Sequence, residues 1–335
     1  MASPSPDHEQ GRLQSLQPAL IFRSRVLSAI RKWFGETGFI EVETPVRLPT
    51  PALELHIDAE PAGAGFLRTS PELHMKRLLA AGYDKIFQIG PCFRKGEWGH
   101  LHHPEYTMLE WYRANANYLD IMRDTENLLT HVHSAIESDE SRVASREPLV
   151  TPHSARRTPH SPLTTRHSPL PLPLPPWPRF TVEELYLKHA GWNPVTAYDA
   201  ERFEHDLVTI IEPALPRNTP AFVMDYPAEA AALSRRKSGY EAVAERFELY
   251  INGVEITNAF SELTDPVEQR RRFEECAHKR KAMGAPVYPL DEEFLAALER
   301  GMPPSGGIAM GIDRLVMVLL GATSLDEVIA FRARV

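Results

Sequence analysis

Between Phe93 and Tyr112 the sequence brings Arg94, Tyr106, Glu110 and Tyr112 close together, and these residue types suit one chemical task. A planar guanidinium pairs with phosphate oxygens, a flat ring stacks on a nucleobase, and a carboxylate beside an aromatic receives a cation. Alternation from Tyr106 onward puts Tyr106, Met108, Glu110 and Tyr112 on one face of a strand, while Arg94 arrives from a preceding strand. The set points to ATP held beside a cationic substrate.

A second constellation lies between Phe247 and Ile256, where Asn252 and Gly253 separate two apolar runs and predict a two-residue type I′ hairpin. In that register Tyr250 faces Glu255 and Glu248 faces Thr257, so Glu248 and Glu255 are diagonal neighbours on one face. Read alone, they are a pair of solvated acids. Two carboxylates this close repel unless a cation joins them, and magnesium takes one or two carboxylates together with nucleotide phosphates. Further on, Gly306 to Val318 reads as a small-residue strand entering an apolar helix with Arg314 in its first turn. Glycines admit a ligand close to the backbone, and an arginine near a helix N-terminus calls for a compensating anion. Strict alternation sets Asn258 and Phe260 on the face opposite Glu255, so a bulge or a strong twist must intervene if all three line one pocket.

The elements that must position these groups alternate in type. Leu20, Val26, Leu27, Ile30 and Phe34 recur at helical spacing, with Gly35 and Gly38 near the stop, and 39–42 follows as a strand. Pro71 opens a short helix ending at Gly82. The strands expected at 85–89, 92–95 and 105–113 are joined by connections too short for parallel crossovers. This predicts an α+β fold built on an antiparallel sheet rather than a Rossmann sheet. Helices are expected at 183–189 and 201–211.

Hydrophobic residues make up 43% of the 335 and charged residues 24%, an ordinary globular balance, and the longest apolar runs fall far short of the roughly 20 residues of a membrane span. The polar start is no secretory signal, and two cysteines in so long a chain fit a reducing compartment, so a cytoplasmic location is expected. The net charge is −8, yet residues 141–179 hold six arginines against one glutamate, which leaves an acidic body. That balance counts against a tight nucleic-acid partner. Residues 141–178, rich in Pro, Ser, Thr, His and Arg and ending in a Pro-Leu alternation, read as a disordered insertion, either a tolerated loop or a docking arm.

Together these segments resemble the class II aminoacyl-tRNA synthetase catalytic domain of lysyl type, over nearly the whole chain apart from the insertion. Phe39 to Pro45 is similar to the family's first motif, Phe93 to Tyr112 to its second and Gly307 to Leu315 to its third; Thr69 to Leu73 and Asn258 to Leu263 resemble the lysine-subgroup signature. The catalytic pattern begins almost at once, leaving no room for an anticodon-binding domain. The chain thus resembles the stand-alone branch that attaches (R)-β-lysine to a lysine side chain of translation elongation factor P, with Ala309 where lysyl-tRNA synthetases carry glycine. The resemblance implies a six- to seven-stranded, mainly antiparallel sheet flanked by helices, a disordered start over 1–11, one catalytic domain over 12–335 interrupted at 141–178, and a homodimer.

It further implies that Arg94 and Arg314 are catalytic, that Arg94, Lys95, Gly96, His103, Tyr106, Glu255, Ile256, Gly311 and Arg314 bind ATP, and that Glu248 and Glu255 hold Mg2+. Ser70, Pro71, Glu72, Glu110, Tyr112, Asn258, Phe260, Glu262 and Ala309 would form the amino-acid pocket. The chain departs from the family pattern at Lys95, Gly96 and His103. A lysyl-tRNA synthetase paralogue with another acceptor and a binding-only regulatory paralogue are the competing readings; the acidic body and the retained phosphate and metal set count against them.

Overall fold

Apolar residues at helical spacing bury one stripe of the first helix, α1 (Pro6–Glu36), including Phe22, Val26, Ile30 and Phe34. A computed structural model describes residues 6–144 and 170–331. After α1 come β1 (Ile40–Glu41), a small sheet of β2 (Arg47–Leu48), β3 (Pro61–Ala62) and β4 (Gly65–Leu67), then α2 (Glu72–Ala80), β5 (Lys85–Phe93), β6 (Glu105–Ala114) and α3 (Tyr118–Ala144). The second half runs β7 (Arg179–Thr181), α4 (Val182–His189), α5 (Ala200–Asp206), a π-helical turn at Leu207–Ile211, α6 (Glu212–Ala214), β8 (Ala221–Pro227), β9 (Arg236–Lys237), β10 (Tyr240–Ile251) and β11 (Val254–Ser261). It closes with α7 (Pro266–Ala282), α8 (Glu292–Arg300), β12 (Ser305–Gly311) and α9 (Ile312–Leu319).

The main sheet has nine strands in the order β1-β5-β6-β12-β11-β10-β8-β7, with β9 paired to β10. It is antiparallel except at its ends, where β1 and β7 pair in parallel. These short strands raise the count above the expected six to seven. One face carries the largest core, in which Phe34 stacks on Phe87 at 4.3 Å and α1, α3 and α9 cover Trp111, Phe222, Phe247 and Met310. The other face carries two separate clusters, one around Leu79, Tyr112, Phe273 and Phe294, the other around Tyr186, Phe203, Tyr226 and Tyr250. No helix among the described residues is long and apolar enough to cross a membrane.

Several boundaries differ from the sequence reading. The strands expected at 85–89 and 92–95 form one, β5. The start is helical from Pro6, and residues 1–5 lie outside the described residues. Of the insertion expected at 141–178, residues 141–144 are the last turn of α3, residues 145–169 lie outside the described residues, and 170–178 is held to the core through Leu170, Leu172 and Trp177. Leu170 donates its amide to the Leu319 carbonyl at 2.8 Å, and Trp177 is buried in the main core with its indole N–H on the Pro173 carbonyl at 2.8 Å. A proline-rich strap can do this because its missing N–H groups leave few donors to satisfy.

Asn252 and Gly253 take φ values of 53° and 74°, as a type I′ turn demands. The register beyond the turn is not the expected one. Tyr250 pairs with Glu255, but Leu249 pairs with Thr257 and Glu248 with Asn258, so Ile256 is an extra residue in β11. This bulge returns Asn258 and Phe260 to the face of Glu255.

Candidate active site

Six of the candidate residues, Glu110, Tyr112, Glu248, Asn258, Phe260 and Ala309, fall into two adjacent rows running across the sheet. In one, Gln88, Glu110, Ala309, Asn258 and Glu248 are successive cross-strand partners from β5 to β10. In the other the sequence is Ile86, Tyr112, Gly307, Phe260 and Arg246. Partners in register share a face, so residues from 86 to 309 in the sequence become neighbours along each row.

At one end is an acidic pocket. Glu110 is buried at the centre of β6, accepting the Ser70 hydroxyl at 2.7 Å on one oxygen and the Tyr112 hydroxyl at 2.9 Å on the other. Burial, with Glu72 close by, pushes its carboxyl up to about 8 despite those two donors. Ser70 also accepts the Glu72 amide at 2.9 Å, and Pro71 caps α2, which sets Glu72 in the first turn. Glu262 is fully buried beyond the end of β11; burial raises it to about 8 against the pull of Lys76. A Cβ on Gly307 would stand 2.1 Å from Glu262 Oε1 and 2.4 Å from the Tyr112 ring, so only glycine lets these two groups pack this close to β12. Ala309 presents its methyl between Glu110 and Asn258.

Further along the strands, towards the start of β6 and the end of β12, is a group of guanidinium and carboxylate side chains. Arg94 follows β5, with its guanidinium 5.4 Å from the centroid of the Tyr106 ring and 3.8 Å from Glu97 Oε1. Its Nε is buried without a partner among the described residues. Burial opposes the charge, yet Tyr106, Glu54, Glu97 and Glu255 more than offset that, and the group stays a cation. The Tyr106 hydroxyl donates to the Thr69 carbonyl at 3.1 Å. Arg314, in the first turn of α9, donates to the Leu101 carbonyl at 3.0 Å and to Glu255 Oε2 at 3.0 Å, and lies 2.7 Å from His102 Nε2. Burial and then Arg314 lower the His102 imidazole below its usual range, which suits an acceptor.

Glu248 is buried, its Oε1 accepting from Arg246 at 2.6 Å and its Oε2 from the hydroxyls of Tyr226 and Tyr250 at 2.5 and 2.6 Å. Burial raises its carboxyl, Arg246 opposes this and Glu255 adds to it. No group of three or more His, Cys, Asp or Glu converges as a metal cage among the described residues. The donor set nevertheless fits a shared cation: Glu248 Oε1 and Glu255 Oε1 each keep an acceptor site, and two carboxylates plus phosphate oxygens suffice for magnesium.

Other predicted positions stand differently. The Ile256 side chain is in the main core, so only its backbone faces outward, and a Cβ on Gly311 would meet nothing closer than Arg314 at 3.9 Å. Gly96 has a φ of 79° in an exposed turn, which explains glycine there, and the Lys95 amide donates to the Asp58 carbonyl at 2.8 Å. His103 is buried, Nδ1 2.6 Å from the Glu105 carbonyl and its ring edge-on to Trp98.

Four site residues were missed from sequence. Arg246 bridges Glu248 and Asn258, at 2.6 and 3.0 Å; its place two before Glu248 on one strand was the available signal. Gln88 is buried beside Glu110, Lys76 lies between Glu72 and Glu262, and Arg280 ties the carbonyls of Glu54, Leu55 and Ile57 into the loop that brings Glu54 to Arg94.

The family model for tRNA synthetases class II (D, K and N) matches residues 8–334. The elongation factor P--(R)-beta-lysine ligases of Proteus mirabilis (strain HI4320) and Edwardsiella ictaluri (strain 93-146) are each 38% identical to this chain, over 93% of it and 94% of their own length. The Salmonella typhi protein of the same name is 36% identical over 94% of both. With buried acids on the sheet face, paired guanidiniums and carboxylates further along its strands, and these relatives, the chain belongs to the class II tRNA synthetase family and, within it, to the group of elongation factor P--(R)-beta-lysine ligases.

Proposed function

We propose that the protein activates (R)-β-lysine with ATP and transfers the acyl group to a lysine side chain of translation elongation factor P. The observation that carries this reading is the double row across the sheet, which sets buried Glu110 and Glu248 with Arg246 on one face, between the acids Glu72 and Glu262 and the guanidiniums of Arg94 and Arg314. A carboxylate oxygen of the substrate attacks the α-phosphorus of ATP, the bond to pyrophosphate breaks, and an acyl adenylate results. The neutral ε-amine of the acceptor lysine then attacks the acyl carbon, AMP leaves with the bonding pair, and the nitrogen loses a proton.

Little covalent chemistry falls to the protein in such a scheme; positioning and charge stabilisation dominate. Arg94, whose Nε lacks an internal partner, holds the α-phosphate. Arg314 holds the γ-phosphate, and with Tyr106 it encloses the adenine. Glu248 and Glu255 would hold magnesium, which neutralises phosphate charge when bound. Glu72, Glu110 and Glu262 receive the substrate ammoniums; Ser70, Tyr112, Asn258 and Phe260 shape the pocket, and the Ala309 methyl favours the β-amine over the α-amine. The buried, unpaired Cys92 and Cys276 fit a reducing cytoplasm, and we assign the working form as a two-fold homodimer.

The test is ATP and pyrophosphate exchange with (R)-β-lysine and α-lysine in parallel, followed by mass spectrometry of elongation factor P. Exchange favouring β-lysine, with a matching mass gain on the factor, is the expected result. Absence of exchange with both amino acids overturns it.

A further inference from the structure

Lys76 is a fully buried charged group that the proposed reaction leaves without a task. It sits one turn after Glu72 on α2 with a fully buried side chain, its Nζ 2.5 Å from Glu72 Oε1 and 2.5 Å from Glu262 Oε2. The Phe260 ring centroid is 5.5 Å from the same nitrogen. Three carboxyls feel this charge, Glu72 from α2, Glu110 from β6 and Glu262 beyond β11, while Tyr112 from β6 and Glu54 from the loop before β3 face the same acids. Two glutamates this deeply buried side by side repel each other, and each loses most of its hydration. A single ammonium between them offsets both costs.

The count of charges then matters. Glu72, Glu110 and Glu262 against Lys76 leave the cluster at a formal −2 when all are ionised. A substrate with two ammonium groups brings the matching +2. Glu262 Oε1 is buried without a hydrogen-bond donor and packs against Gly307, an acceptor left over after Lys76 is served.

We propose that Lys76 is a positioning and specificity residue: a built-in counter-ion that fixes Glu72 and Glu262 and sets the pocket's charge to match a diammonium substrate. The proposal deepens the ligase reading and rests on it for the identity of the substrate. Lys76 touches neither ATP nor the reacting atoms; it acts through the two glutamates. Without it the carboxyls, already raised by burial, rise further, and a diammonium ligand must expel more proton charge than it does from the native pocket.

The experiment is calorimetric titration of the full chain with (R)-β-lysine, α-lysine and 1,5-diaminopentane at pH 7 and pH 9, for the native protein, Lys76→Met and Lys76→Arg. Lys76→Met should weaken (R)-β-lysine binding at pH 7 on the order of a hundredfold, the scale of breaking a buried ion pair. Much of that loss should be regained at pH 9, where the acids ionise unaided, while the KM for ATP stays put. Lys76→Arg keeps the charge and should keep the native ratio between the two pH values. Should Lys76→Met fail to fold, Lys76→Gln carries the same test, because it retains two N–H donors and loses only the charge. A purely structural lysine would lower Tm and leave the pH ratio unchanged; that result overturns the proposal, as does native protein that binds none of the three ligands. Native protein that binds (R)-β-lysine and loses it in Lys76→Met, yet shows no pyrophosphate exchange, would sink the ligase reading and leave the charge assignment standing.

Discussion

Gly307 shows how closely the pocket is built around its side chains. A methyl there would press on a buried carboxylate and a buried ring at once, with no flexible surface group to give way. Gly307→Ala should therefore destabilise the protein by about 1–3 kcal/mol, as overpacking does, and raise the KM for (R)-β-lysine at least tenfold. The KM for ATP should stay within about twofold, because the phosphate-binding groups lie further along the strands. Thermal melts with exchange kinetics in both substrates check this; equal rises in both KM values would contradict it. At this scale the sequence was informative where residues are chemically unusual for their setting. Arg94, Glu110 and Arg314 stood out because an arginine after a strand or at a helix start, or an acid on an apolar strand, needs a reason. Lys76 did not, since Glu72 and Lys76 four apart on a helix look like an ordinary surface pair. Only their burial, which depends on β6 and β11 closing over α2, makes them part of the pocket.

Among the elements, the hairpin and its bulge had different legibility. The turn was readable because Asn-Gly satisfies two positive φ values locally. The bulge at Ile256 was not, because an extra residue is stabilised by packing on both sides of β11, between β10 and β12. A tension was visible, since Glu255, Asn258 and Phe260 could not share a face without a bulge or a strong twist. The strap at 170–178 was misread for a related reason: proline and leucine in alternation lack any secondary-structure period, yet Leu170, Leu172 and Trp177 fit against the main core. Trp177 is 3% exposed, and its amide also donates to Glu126 Oε1 at 2.9 Å. Trp177→Ala should cost about 3–5 kcal/mol, the usual range for a large buried aromatic. Urea unfolding would show it as a lower midpoint with an unchanged slope. A midpoint equal to that of the native protein would mean that the strap contributes nothing to the folded state.

For the whole molecule the consequence is a linkage between pH, stability and substrate. Glu110 and Glu262 are raised from 4.5 to about 8 in the fold, chiefly by burial, so between those values the native state holds protons that the unfolded chain has released. Their contribution to stability is full below about 4.5 and is lost as pH rises through about 8, so the empty protein should become less stable across that window. Lys76, kept charged by Glu262 and Glu72 against its burial, does not titrate there. A diammonium substrate reverses the balance, because it favours both carboxylates ionised. Binding of (R)-β-lysine at pH 7 should then release between one and two protons and tighten as pH rises to about 8, until the substrate amines, with reference values near 10, begin to lose their own. Calorimetry in two buffers of different ionisation enthalpy measures that proton count directly. Release falling towards zero by pH 9 would fit acids that are already ionised before the substrate arrives. No release at pH 7 would mean that Lys76 alone keeps both glutamates charged in the empty pocket, and that the fall in stability across this window must have another source.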